Sequence, residues 1–421
     1  MRNMQTKGLL TALTALLLTA VIALGGFSAA AAVEQGNVLK GLEGYKAAFE
    51  ASFALPEDDE SKLYPDVWGL YVLARTDKMD DGAYSFMVPA ADPNAAGSGI
   101  ASSMATEVLG AALKGGDFTQ GENSALAKAL AALQQDGAFG ESSYDNIWAV
   151  IALEAANAAG AGAGYDKAAA GGVIASFQQE DGGFNDFGEG GEVDSTGMAM
   201  IALALTDQSA ALEKAVSFME QSMQEDGNLV GNGEWSSANS CSQAYGIMGL
   251  VAAGESMSAK RWSAAVDALL AYQDAAGCFW YDAASQNGEE GAFYTAPDSI
   301  STIQGLMALS DIAAGNSLWL DMAGYYDKEP VPESTAAEPE TTEPVLEQPS
   351  SQQAETEPSA QDSSNPKTGD EGVSWIVWVL IGAAVVAIVF AVAAPAIWKR
   401  KNSPQNGGQN GEGTQDPGDG E

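Results

Sequence analysis

Between residues 33 and 326 one short motif returns five times, and such a period restricts the chain to an array of similar structural units. Its mark is a glycine just before an aromatic or apolar residue, usually preceded by aspartate. The copies are Asp81-Gly82-Ala83-Tyr84, Asp136-Gly137-Ala138-Phe139, Asp181-Gly182-Gly183-Phe184, Asp226-Gly227-Asn228-Leu229 and a degraded Ala276-Gly277-Cys278-Phe279. The glycines lie 55, 45, 45 and 50 residues apart, and Gln134, Gln178, Gln224 and Gln273 precede the last four. Upstream, over 124–135 and 212–224, apolar residues recur at three- and four-residue spacing, which predicts amphipathic helices. The glycine is expected to end each helix in the left-handed region. Downstream, after a polar loop of variable length, the Ala/Leu-rich runs at 145–153, 194–203 and 301–309 predict a second, more apolar helix. Asp, Ser or Thr at its start can cap free N–H groups.

Amphipathic first helices and apolar second helices imply two concentric layers, with the second helix inside. Five hairpins, with further helices near 38–53 and 318–326, make about six inner and six outer helices. That number can close on itself and remove the exposed ends of an open array. The expected fold is all-α, an α/α toroid over residues 33–326.

The run Gln-x-x-Asp-Gly-x-Phe, then a loop, then Asp194-Ser195-Thr196 leading into an Ala/Leu helix, resembles the prenyltransferase and squalene-cyclase repeat. The likeness covers about residues 60–315 and is clearest at 134–153 and 178–203. It implies the α/α-toroid fold, which hosts several functions. Protein prenyltransferases hold zinc through Asp, Cys and His; this chain has no histidine, so neither a metal site nor a cofactor is expected. Triterpene cyclases use an Asp-x-Asp-Asp acid, and the nearest match here is Glu192-Val193-Asp194-Ser195-Thr196. On that resemblance Asp194 is the candidate catalytic acid, with Ser195 in place of the final Asp; the alternative is that Asp194-Ser195 caps the helix. Intrinsic-factor-like proteins share the shape, but there a second domain closes over cobalamin, whereas here Tyr326 leads into a tether.

Carbohydrate chemistry with paired carboxylates is another use of such barrels. Asp186, Glu189, Glu192, Glu289, Glu290 and Asp298 are available, but with 57 acids against 18 bases any loop of this chain shows them. The net charge of −39 turns nucleic acid and anionic lipid away from the folded region. Binding without catalysis asks for less. The loops at 184–193, 229–239 and 279–297 would gather at one mouth, where Trp235, Trp280, Tyr281, Tyr294 and Glu192 form the expected site for an extracellular small molecule or glycan. Phe184 and Phe279 occupy repeated positions and are expected to plug the hairpins. Cys241 and Cys278 fall at the same end of adjacent repeats and are candidates for a disulfide.

The ends set the location. Residues 1–32 have the form of a secretory signal: Arg2 and Lys7, an apolar run, then Ser28-Ala29-Ala30-Ala31-Ala32. Residues 327–372 carry seven prolines and twelve acids, a composition expected to stay disordered and extended as a tether. Residues 373–398 contain no charge and are long enough for a transmembrane helix, and Lys399-Arg400-Lys401 places the tail 399–421 in the cytoplasm. Asn365-Pro366-Lys367-Thr368-Gly369 before the span is similar to the cell-wall sorting signal of Gram-positive surface proteins. That likeness implies cleavage between Thr368 and Gly369 and attachment of Thr368 to peptidoglycan. Asn365 replaces the usual Leu, and the polar tail is longer than such signals carry, which leaves simple membrane anchoring open. Protease added to intact cells is expected to release the repeat domain; a domain protected until lysis overturns this topology.

Overall fold

Alanine, leucine and isoleucine runs with no interior proline favour helix, and the computed structural model is all-α over the residues it describes: 33–52, 63, 65–92, 94–186, 188–234 and 236–327. These all lie in the first of two units, Met1–Glu333. In chain order the helices are α1 (Gln35–Ser52), α2 (Val67–Arg75), α3 (Ala101–Leu113), α4 (Gly121–Ala131), α5 (Ser143–Ala158), α6 (Lys167–Ser176) and α7 (Val193–Leu205). They continue with α8 (Ser209–Ser222), α9 (Ser240–Ala252), α10 (Ser263–Ala271), α11 (Ala283–Asn287), α12 (Ser299–Ala314) and α13 (Met322–Tyr326).

Burial sorts them. Every residue from Ile147 to Leu153 of α5 is buried, whereas α8 buries the stripe Ala211, Ala215, Phe218, Met219 and Ser222 and leaves its other face to water. The apolar helices α2, α3, α5, α7, α9 and α12 pack in that succession, and α12 packs in turn on α2. The amphipathic helices lie against them: α4 on α3 and α5, α6 on α5 and α7, α8 on α7, α10 on α9, and α1 on α12.

The repeated glycine does a different job from the one expected. Helices α4, α6, α8 and α10 end five or six residues before it. Gly137, Gly182, Gly227 and Gly277 instead take the left-handed position of a tight turn, at φ 92°, 89°, 87° and 103°. Gly182 N–H donates to Gln179 O at 3.0 Å and Gln179 N–H to Gly183 O at 2.9 Å, the pattern of a short hairpin. A second reason for glycine is distance. A Cβ on Gly182 would sit 2.7 Å from Lys214 O of α8, one on Gly227 2.1 Å from Ala264 O of α10, and one on Gly277 2.7 Å from Gly41 Cα of α1. Each turn thus abuts the next amphipathic helix, and the last abuts the first. The preceding glutamine braces it: Gln178 Nε2 donates to Gly182 O (2.9 Å) and to Ala211 O of α8 (2.8 Å). In the fourth copy Gln243 takes over this task, donating to Gly227 O and Ala265 O.

Two expectations at the ends need correction. Gly82 is not left-handed; it opens the 3-10 helix Gly82–Met87, capped by Asp81, and with Ala95–Gly97 following and Pro89 between them no outer α-helix forms among the described residues from α2 to α3. Residues 318–326 do not form a twelfth layer helix. They break at Asp321 into a 3-10 turn, Leu318–Leu320, and the five-residue α13. This segment spans the C-terminal ends of the apolar helices: Trp319 packs on Trp68 and Tyr71 of α2, and the Tyr325 and Tyr326 hydroxyls donate to Leu113 O and Ala112 O of α3. The turn also touches α7, and α13 touches α5.

The anchor of that segment is a buried ion pair. Asp311 Oδ1 accepts from Arg75 Nη2 (2.9 Å) and the Tyr71 hydroxyl (2.5 Å), while Arg75 Nη2 also donates to Asn316 O. Burial pushes Asp311 up to about 6, against the pull of Arg75. Residues 1–32, the tether beyond Asp327, the expected span, Thr368 and Gly369 lie outside the described residues, as does Trp235. Among the described residues no helix is long and apolar enough to cross a membrane. Arg75→Met strands the Asp311 carboxylate in the interior and is expected to cost roughly 3–5 kcal/mol by denaturant unfolding. Adding Asp311→Leu should recover part of that loss; an unchanged midpoint in the single variant overturns the anchor.

Candidate functional site

A backbone N–H carried into an apolar interior needs an acceptor. After each turn glycine the next apolar residue enters the core, and its N–H donates to the fourth residue of the following apolar helix. Phe139 bonds Asn146 Oδ1 (2.8 Å), Phe184 bonds Thr196 Oγ1 (2.8 Å), Leu229 bonds Gln243 Oε1 (2.7 Å) and Phe279 bonds Thr302 Oγ1 (3.0 Å). All four acceptors are buried. Phe184 and Phe279 are therefore hairpin plugs, as expected.

With the fourth residue turned inward to the turn, helical geometry rotates the second residue about 200° away. The second residues are Trp68, Ser102, Tyr144, Asp194, Cys241 and Ile300, and none is buried. Tyr144 and Ile300 keep 44% and 49% of their surface accessible. Burial is nevertheless the largest influence on the Tyr144 hydroxyl, and it raises its pKa. Tyr144 is thus open to water along its ring and crowded by protein at its hydroxyl.

The same groups act on one another across helices that are not neighbours. Trp68 of α2 and Trp148 of α5 have ring centroids 4.6 Å apart, and Trp148 meets Tyr144 at 6.1 Å. Burial lifts the Tyr245 hydroxyl of α9 well above its ordinary value, and the titratable groups around it are Tyr144, Asp66, Cys241 and Asp194. Trp68 and Trp148 thus form a floor, continued downward by Trp319. Above it, burial raises Asp66, Asp194 and Asp298, each opposed by backbone N–H donors. Burial, then the charges of Asp298 and Asp194, pushes the Cys241 thiol up to about 12. Tyr281, Phe293 and Tyr294 cluster at the rim with centroids 4.8–5.8 Å apart. Tyr281 feels Cys241 and Asp194, and Tyr294 feels Asp298 and Cys241.

The expected site residues separate on this geometry. Tyr281, Tyr294 and Asp194 come together. Asp194 is not the helix cap, since Glu192 holds that position; its carboxylate accepts only locally, from Ser195 N–H at 2.9 Å. Glu192 braces a loop, accepting from the Ser236 hydroxyl at 2.6 Å, and burial raises its pKa. Trp280 is half-buried, with its N–H on Tyr272 O; neighbours on an extended segment face opposite ways, so it turns away where Tyr281 turns in. Cys241 and Cys278 are free thiols. Cys241 faces Ser301 of α12, while Cys278 lies against Gly44 of α1, so the two side chains serve different layers. Of the other loop acids, Asp186 caps α5 across the repeat, accepting from Ser143 and Tyr144 N–H, and Asp298 caps α12 through Ser301 N–H. Glu189, Glu289 and Glu290 are exposed. Among the described residues no group of three or more His, Cys, Asp or Glu is set to hold a metal ion.

Asp66, Trp68, Tyr144, Trp148 and Tyr245 escaped the reading of the sequence, although aligning the apolar helices on their fourth residue would have found Trp68 and Tyr144. No protein-family model and no curated protein matches this chain. Phe184→Ala is expected to cost roughly 3–5 kcal/mol and Trp280→Ala about 1 kcal/mol or less. Parallel denaturant unfolding of both variants checks this; equal losses would make Trp280 a core residue.

Proposed function

We propose that this chain displays an α/α toroid on the outside of the cell, and that the concavity at the N-terminal ends of its apolar helices binds an extracellular small molecule or glycan without transforming it. The return of α12 to α2 supports closure of the inner layer, and the contact of Gly277 with α1 joins the last turn to the first amphipathic helix. The residues 318–326 segment across the opposite end supports a cup with one mouth rather than a channel. The observation that carries the reading is Tyr144, widely accessible at the N-terminal end of α5 and set against Trp148. Accessible aromatic and polar groups converging inside a shell are what a binding site requires. The signal, span and basic stop of the sequence carry the surface location, held either by the span itself or by wall attachment at Thr368.

A second reading rests on Asp194. Burial favours its protonated form, which is what an acid that protonates an alkene needs. A terpenoid-cyclase-like enzyme is therefore the alternative.

Thermal unfolding of the full chain against a panel of oligosaccharides and small amphiphiles tests both. A ligand at a hundred times its Kd should add about 2.7 kcal/mol and be recovered chemically unchanged. A new product formed by the natural chain but not by Asp194→Asn would establish the enzyme instead.

A further inference from the structure

Single apolar side chains on a protein surface are ordinary, but several gathered at one place mark a contact with something else. Among the described residues five large apolar side chains are exposed: Ile100, Tyr144, Phe293, Ile300 and Leu320. Four of them stand at the end where the apolar helices begin. Ile100 and Tyr144 lie at the starts of α3 and α5, Ile300 at the start of α12, and Phe293 in the segment that leads into α12. That segment is a built platform. Asp282 caps α11 through Ser285 N–H (2.7 Å), Gly288 ends it in the left-handed region at φ 65°, and Tyr294 N–H returns to Ser285 Oγ (3.3 Å). The return sets Phe293 and Tyr294 against Tyr281, with 54% of Phe293 open to water. Tyr281 O accepts from Ser240 N–H (2.7 Å) at the start of α9, and the adjacent Cys241 meets Ser301 (3.5 Å), the neighbour of Ile300. The platform is thereby joined to the start of α12.

Charge is distributed along the same line. The segments 88–100, 139–146, 184–196, 229–241 and 279–301 at this end contain twelve Asp and Glu and no Lys or Arg, although residues 33–326 carry eleven bases. None of the twelve takes part in an ion pair among the described residues. Glu141, Asp186, Glu189, Glu234, Glu289 and Glu290 are exposed. A field of one sign turns away anions and a second copy of the chain, and draws in cations. The exposed apolar groups also stand apart: α2 and α3 come between α12 and α5 in the succession of helices, at about 8–10 Å for each packed pair. A small molecule seated on the platform leaves Ile100 and Tyr144 uncovered, whereas an extended chain spans them.

We propose that this end is a docking surface for a cationic polypeptide, whose Lys and Arg answer the acidic loops while a large apolar side chain rests on Phe293, Tyr294 and Ile300. This goes beyond the small molecule or glycan assigned to the concavity, and it stands whatever the concavity holds. The apolar contact supplies affinity, and the field of one sign supplies rate and choice of partner.

Three end-capped peptides of equal length separate these contributions: Lys alternating with Phe, Glu alternating with Phe, and Lys alternating with Ser. Each is titrated into the full chain by calorimetry. The Lys/Phe peptide is expected to bind at least about tenfold more tightly than the Lys/Ser peptide, and the Glu/Phe peptide not at all. Raising the salt from about 0.05 M to about 0.5 M should weaken Lys/Phe binding at least about fivefold. Phe293→Ser and Ile300→Ser should each weaken the Lys/Phe peptide at least about fivefold and leave the Lys/Ser peptide unchanged. Glu289→Gln combined with Glu290→Gln should weaken both peptides, and Leu320→Ser, at the far end, neither. Equal binding of the two Lys peptides reduces the attraction to charge alone and overturns the proposal. So does Glu/Phe binding as tight as Lys/Phe binding, no Lys/Phe binding, or Lys/Phe binding indifferent to both Phe293→Ser and Ile300→Ser. Self-association of the chain that Phe293→Ser abolishes would make a second copy the occupant and overturn it too. Unfolding curves establish that each variant is folded.

Discussion

The N–H that follows each turn glycine sets the phase of the molecule. It belongs to a residue driven into the core by its own side chain, and it must find an acceptor there. Asn146, Thr196, Gln243 and Thr302 supply it from one fixed place, the fourth residue of an apolar helix. Three residue types serve because only an oxygen at that reach is needed. Once that residue faces the turn, the rotation of the helix follows, and the second residue is left facing the concavity. That face is thus a by-product of satisfying the backbone, and the residue type at its second position varies: Tyr144, Asp194, Cys241 and Ile300 have nothing in common. A scaffold of this kind lets function vary while the fold holds.

The acidic character of the chain divides along the same line. Several carboxylates satisfy backbone N–H groups: Asp186 on α5, Asp145 on Ser102 of α3, Asp181 on Gly191. The first two bond across repeats, and Asp181, which closes its own loop, reaches the next repeat by accepting from Asn232 Nδ2 at 3.1 Å. Asp311 is a different case, buried and held by Arg75 and Tyr71, tying the last apolar helix to the first and fixing the segment that follows. Asp194 and Asp298 bond only within their own helix starts, to Ser195 N–H and Ser301 N–H. Counting acids in loops could not have separated these groups, because partners come from elements 40 or more residues away.

The hairpin repeat, the two kinds of helix, the plugging aromatics and the all-α class were legible because each rests on local pattern. The role of glycine was misread for an instructive reason. Its left-handed backbone was visible in the motif, but the demand for a missing Cβ comes from Lys214, Ala264 and Gly41 on the next helix. The final segment was misread because periodicity continues across Asp321 although the helix does not. Of the mouth, Tyr281 and Tyr294 were found as aromatics outside the repeat. Trp68, Trp148 and Tyr245 were hidden among apolar helical residues, where an inward aromatic looks like core.

By itself the sequence determined the helical class, the period of the array and the signals that bear on location, since these depend on residue type and on neighbours a few positions apart. Tertiary structure alone decided that α12 packs on α2, that residues 318–326 cross the far end, and which acids bond across repeats. Those facts depend on distances between residues far apart in the chain. A one-dimensional pattern carries the chemistry of each group but not the identity of the group that answers it.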